Sequence, residues 1–189
     1  MRTHWLASLV VVLATACSGP SFDGQVYRQG DLAFRVGPVP SSWRSIEATG
    51  ALLAFRDDEA AATVALNGRC GLDGDDVPLE ALTHHLFLQF TERELVSQSR
   101  IDLDGRAALR TEMIAELDGV KKHYVVYVLK KDGCVYDFLY VSPNADETRT
   151  FEQFVRGFGT LTLRRATPDR TAGDRAFGRV FGRLRRRAA

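Results

Sequence analysis

Nowhere in this 189-residue chain is there an uninterrupted apolar run of the roughly 20 residues that a membrane-spanning helix needs. The longest, Leu6 to Ala16, offers only about a dozen. It follows Arg2 and leads into small residues. That order predicts a secretory signal peptide over residues 1–16, not a transmembrane helix. The chain also lacks G-x-S-x-G, a P-loop, H-E-x-x-H and C-x-x-C. With no recognisable nucleophile, phosphate cradle or zinc spacing, the expectation is a protein that is not an enzyme and takes neither metal nor cofactor. Histidine is scarce as well. His84 and His85 are consecutive on a predicted helix, where side chains diverge by about 100° and cannot easily share one ligand. The acidic stretch Asp73 to Asp76 places Pro78 and His84 where a calcium loop needs Gly and Glu. It reads instead as a helix entry capped by Asp75 or Asp76.

Of the three cysteines, Cys17 directly follows Leu13-Ala14-Thr15-Ala16. This resembles the bacterial lipobox, with Ala14 where that family prefers Leu. The resemblance implies that Cys17 is lipidated and becomes the mature N-terminus, followed by a linker over residues 17–24. An ordinary secreted protein with an incidental cysteine is the alternative. One acyl chain anchors only marginally, and the two or three of a lipoprotein hold firmly. With Ser18 after the cysteine, the sorting pattern of enteric lipoproteins implies an outer-membrane anchor facing the periplasm. Cys70 and Cys134 then remain, and an exported chain allows them one intramolecular pairing. Each flanks a strand-like run, TVALNGRC and CVYDFLYV. Two separate buried thiols, or a metal site shared with His84 or His85, are the open alternatives.

The formal net charge of +1 conceals a division. Ser18 to Leu163 carries a balance of −7, and Arg164 to Ala189 a balance of +7. An acidic body therefore bears a basic tail. In the body, three Asp-Gly pairs, at Asp104-Gly105, Asp118-Gly119 and Asp132-Gly133, separate β-rich runs and predict an antiparallel meander. Leu109, Thr111, Met113, Ala115 and Leu117 alternate with Arg110, Glu112 and Glu116, which predicts one face inward and one toward water. The next two runs are apolar on both faces and should be central, under helices. Helices are expected from about Pro78 to Phe90, with Pro78 in the first turn, and from about Asp146 to Phe158. Grouped strands with two helices outside them mean α+β, in one domain over residues 25–163.

LAFRVGPVPSSW, a strand, prolines and then Trp43, resembles the F-x-x-P-x-G-W opening of PsbP-like domains, with Ser42 in place of the Gly. The resemblance covers most of Val26 to Leu163 in its order of elements. It implies an α-β-α sandwich and a non-catalytic, accessory or binding role, with no active site to carry over. Trp43 is expected to plug one end of the core; a ligand rim is the alternative. Tyr136, Phe138 and Tyr140 share one face of a strand. Nucleic-acid binding is not expected, since rows of this kind also line cores. Asp137 shares its face with Val135, Leu139 and Val141, so it must be paired or carry a raised pKa.

In the tail, Phe177, Val180, Phe181 and Leu184 form one helical stripe flanked by Arg175, Arg179, Arg183 and Arg186. These residues are the candidates for contact with anionic lipid or an envelope protein. Docking on the acidic body of the same chain is the open alternative. The leading expectation is a lipid-anchored, non-catalytic envelope protein contacting another envelope component. A carrier of a small apolar ligand in a sheet–helix cleft comes second, and an enzyme of unrecognised type third.

Overall fold

The structure, a computed structural model, describes residues 19–71, 76–144 and 148–161. Cys17, Asp73 to Asp75, and the tail candidates Arg175, Phe177, Arg179, Val180, Phe181, Arg183, Leu184 and Arg186 lie outside the described residues.

Asp-Gly turns organise the larger sheet. β7 (Thr91–Leu103), β8 (Arg106–Leu117), β9 (Val120–Lys131) and β10 (Cys134–Ser142) pair antiparallel in succession. Both residues of each Asp-Gly connection have positive φ, from 52° to 79°, as tight type I′ hairpins require. On the far side of β10 come β6 (Ala62–Cys70), β5 (Leu53–Asp57) and β4 (Trp43–Ser45), giving the order β4-β5-β6-β10-β9-β8-β7. A smaller sheet runs in the order β1 (Ser21–Phe22), β2 (Val26–Gln29), β3 (Leu32–Arg35) and β11 (Gly159–Thr160). Ser21 and Phe22 fall inside the expected linker, yet they pair with Arg28 and Tyr27. Phe22 packs 6.2 Å from the Phe55 ring, so burial recruits the linker's one aromatic residue into the fold.

The central strands β9 and β10 are covered on both faces. On one, Val125, Tyr127 and Leu129 join Tyr136, Phe138 and Tyr140 against Phe151, Phe154 and Val155 of α2 (Arg149–Arg156). The aromatic row is thus core. Tyr136 and Phe138 lie 4.9 and 5.2 Å from Phe158, and Tyr140 lies 5.3 Å from Phe151. On the other face, Tyr124, Val126, Val128 and Val135 meet Leu79 of α1 (Leu79–Leu86) and the following Phe87. Trp43 is a plug, its Nε1–H donating to Asp57 Oδ2 at 3.0 Å while its ring packs on Phe55 and Phe154.

Helix α1 is shorter than its periodicity predicts. Phe87 leaves helical geometry, and Phe90 folds back onto Phe87 and Tyr124 at 5.2 and 5.0 Å. Pro78 is the N-cap rather than a first-turn residue, and no side chain caps it. Asp76 therefore does not cap α1, and Glu80 supplies the negative charge of its first turn instead. At the C-terminus of α2, Gly37 and Gly157 touch. A Cβ on Gly37 would lie 2.2 Å from Gln153 O, and one on Gly157 would lie 2.2 Å from Gly37 Cα. Gly37 N–H donates to Phe154 O at 2.8 Å, so bare backbone is what seats α2 here.

Candidate functional site

Among the described residues, polar chemistry gathers at several places outside the apolar core. The first lies beneath α2. Arg110 and Glu112, expected to face water, instead face that helix, because register pairs them with Tyr127 and Val125 on the face α2 covers. Arg110 donates to Glu152 of α2 at 3.1 Å, to Glu112 at 3.0 Å and to the Tyr127 hydroxyl at 3.2 Å. His123 Nε2 lies 2.9 Å from Glu112 Oε1, and its buried Nδ1 has no partner. Burial pushes the Glu112 carboxyl up, but the His123 and Arg110 hydrogen bonds and charges outweigh it and the net shift is downward. Each carboxylate in this circuit holds a cation or imidazole. The arrangement ties α2 to β8.

The second place is Asp137, which is 3% exposed. Its cross-strand neighbour is Asn67, whose amide donates to Asp137 Oδ2, and Arg69 stands 4.0 Å away. Burial pushes the Asp137 pKa up; the Asn67 hydrogen bond and the Arg69 charge pull only partly against it. Both outcomes expected of a carboxylate on an apolar face are present together.

The third place is the β7 edge. Among the described residues β7 pairs with β8 alone, and α1 packs mainly on β8 and β9 and reaches β7 through the Glu80–Arg100 ion pair, so most of the α1-side face of β7 is uncovered by them. Every residue from Thr91 to Arg100 is exposed. Leu95 at 56%, Val96 at 49% and Leu88 at 55% are large apolar groups in water. Register shifts between Thr91 and Glu94 and between Leu95 and Ser97 break the first half of the strand, where Glu92 has φ of 46°. Bulges blunt an edge against promiscuous pairing. From Ser97 to Leu103 the register is regular, and that half can accept another strand.

Alongside runs a groove of about 300 Å3, walled by Thr83, His84 and Phe87 from the α1 side and by Leu95, Gln98 and Met113 from the strands. Thr83, 3% exposed, has a hydroxyl with no hydrogen-bond partner. An unmade bond on a buried hydroxyl costs about 1–3 kcal/mol. Arg93 is tied to Phe87 O and Arg100 to Glu80, at 3.3 and 2.7 Å. Reading the sequence missed this edge. The signal was there in the adjacent Leu95 and Val96, which break strand alternation as a bulge does.

The sequence candidates Cys70 and Cys134 are paired. They are cross-strand neighbours at the joined ends of β6 and β10, linked by a disulfide with S–S of 2.01 Å. His84 and His85 are both exposed, and only His84 borders the groove. Among the described residues no group of three or more His, Cys, Asp or Glu is placed to hold a metal ion, and no helix is long and apolar enough to cross a membrane.

The architecture is a mostly antiparallel sheet with two helices, an α+β fold of PsbP-like type. The cyanobacterial PsbP (CyanoP) of Synechocystis sp. PCC 6803 superposes with a TM-score of 0.51 at 17% identity, over 78% of this chain and 99% of that one. A crystal structure from Bacteroides thetaiotaomicron gives a TM-score of 0.54 at 11% identity over 78% of this chain, which spans 52% of the length of that protein. LpqN of Mycobacterium tuberculosis, described as involved in cell envelope biogenesis, has a TM-score of 0.46 at 14% identity over 75% of this chain and 88% of LpqN, too low to carry an inference. No protein-family model matches the sequence, and no curated protein matches it significantly.

Proposed function

We propose that this chain is a non-catalytic accessory protein of the bacterial cell envelope. It is held by lipid on Cys17 and acts by contact between its β7 edge and another envelope component. One observation carries the reading. The space between sheet and α2 is filled by aromatic rings, whereas β7 and its groove stand open. A carrier needs an apolar cavity that encloses most of its ligand. Among the described residues the hollows of about 300 to 390 Å3 all open at the surface, and the one beside β7 has Thr83, His84 and Gln98 among its walls. An enzyme would need an accessible group, and Asp137 is buried and partnered.

Helices on opposite faces of the sheet agree with the α-β-α sandwich that the PsbP-like resemblance implies. With β1 starting at Ser21, only three residues separate Cys17 from the fold, and the four steps between them reach about 14 Å. The domain would ride against the membrane surface, at the outer membrane and facing the periplasm. Two measurements test this. A Cys17→Ser protein should leave the membrane fraction and lose its acyl mass. Native mass spectrometry of the solubilised protein should show a protein partner that Leu95→Arg removes. A small apolar molecule retained in place of a partner, and lost with Leu95→Arg, would return the carrier reading.

A further inference from the structure

We propose that the β7 edge and its groove are the docking site of this chain's own basic tail, residues 164–189. The inference concerns regulation of the surface assigned above and rests on that reading.

The place where the described chain ends is the first argument. Thr160 donates from its backbone N–H and its hydroxyl to Asp104 Oδ2, at 2.9 and 3.3 Å. Asp104 directly follows Leu103, the last residue of β7. Leu161 itself donates to Ala33 O at 2.9 Å and lies beside Cys70 and Cys134, so the segment after it sets out from the end of the larger sheet that also holds the C-terminal end of β7. To follow the edge it must run toward Thr91, antiparallel to β7, the more favourable pairing direction.

Length is sufficient. β7 has 13 residues, about 43 Å of strand, and 26 residues lie between Arg164 and Ala189. Leu95, on the groove, is about 26 Å back along β7 from Leu103, and Phe177 lies 16 residues beyond Leu161, a reach of more than about 50 Å.

Chemistry selects the tail over a neutral strand. Glu92 and Glu94 carry carboxylates with no ion-pair partner among the described residues, while Arg93 and Arg100 of the same strand are engaged. The body totals −7 and the tail +7. Laid as a strand, Phe177 and Phe181 fall on one face, apolar groups of the kind that would cover Leu88 and Leu95. A partner, or an anionic surface competing for the arginines, would then have to displace the tail to reach β7.

The test compares hydrogen exchange in the detergent-solubilised full chain and in a chain ending at Leu163. Amides of Ser97 to Leu103 should exchange several-fold more slowly in the full chain, and salt should erase the difference. Glu92→Lys with Glu94→Lys should abolish the protection, and Arg179→Glu with Arg183→Glu should restore it in that background, which sets misfolding aside. Equal exchange in the two chains overturns the proposal. So does protection that needs high protein concentration, which would assign the edge to a second copy. Tail-dependent binding to phosphatidylglycerol vesicles with no change at β7 overturns it too. A photocrosslinker at Ser99 separates this inference from the one beneath it. Equal capture of an envelope protein by both chains would remove the tail and keep the surface. A protected β7 with no capture by either chain would keep the tail docked and remove the surface reading.

Discussion

Asp137 sits where burial works against its charge. Its pKa is raised by burial, and the Asn67 hydrogen bond and Arg69 charge offset only part of that. A carboxyl whose folded pKa exceeds its unfolded value contributes stability that is complete below the unfolded pKa and is lost as pH rises through the folded one. Asp137→Asn keeps the shape and an oxygen to accept from Asn67 but removes the buried charge. Its melting temperature should therefore exceed the parent's at pH 7, by about 3–5 °C if the gain is near 1 kcal/mol. The advantage should vanish on acidification below about pH 4, where the parent carboxyl is neutral in both states. A lower melting temperature at pH 7 would mean that the Arg69 pair outweighs burial. The sequence exposed this residue because one carboxylate breaks an apolar alternation. It hid Arg110 and Glu112, because a charged pair on alternate positions reads as a wet face until α2 brings Glu152 over it.

Among the elements, legibility followed local signals. Asp-Gly turns announced the hairpins, and Phe151, Phe154 and Val155 announced the buried stripe of α2. Tertiary contacts were silent. Nothing local says that the N-terminal hairpin belongs to a separate sheet with β11, or that Gly37 meets Gly157. That contact supplies an element-scale prediction. Gly37→Ala would gain the few tenths of a kcal/mol to about 1 kcal/mol that restricting an unfolded chain provides. It would also force a Cβ into the Gln153 carbonyl, and overpacking of this kind costs about 1–3 kcal/mol. The denaturant midpoint should fall; an unchanged midpoint would mean that α2 shifts freely. The Cys70–Cys134 disulfide closes a separation of 64 residues between β6 and β10. On the chain-entropy model that removes about 4 kcal/mol of unfolded-state freedom. Reduction should lower the melting temperature, whereas free alkylation of both thiols in unreduced, denatured protein would contradict the pairing.

For the whole molecule, the central claim is that recognition happens on the outside, at the β7 edge, and not in an interior pocket. Composition foreshadowed the acidic body and basic tail, but which surface stands open depends on where α1 stops relative to β7. No local pattern encodes that distance. The most direct measurement is a photocrosslinking scan in intact cells, with the probe placed in turn at Glu94, Ser99 and Asp102 on β7 and at Arg44 on the opposite edge strand β4. Adducts with one envelope protein from the β7 positions, increased when the tail is removed and absent from Arg44, are the predicted result. Adducts confined to Arg44, or β7 positions that capture no envelope protein with or without the tail, would contradict it.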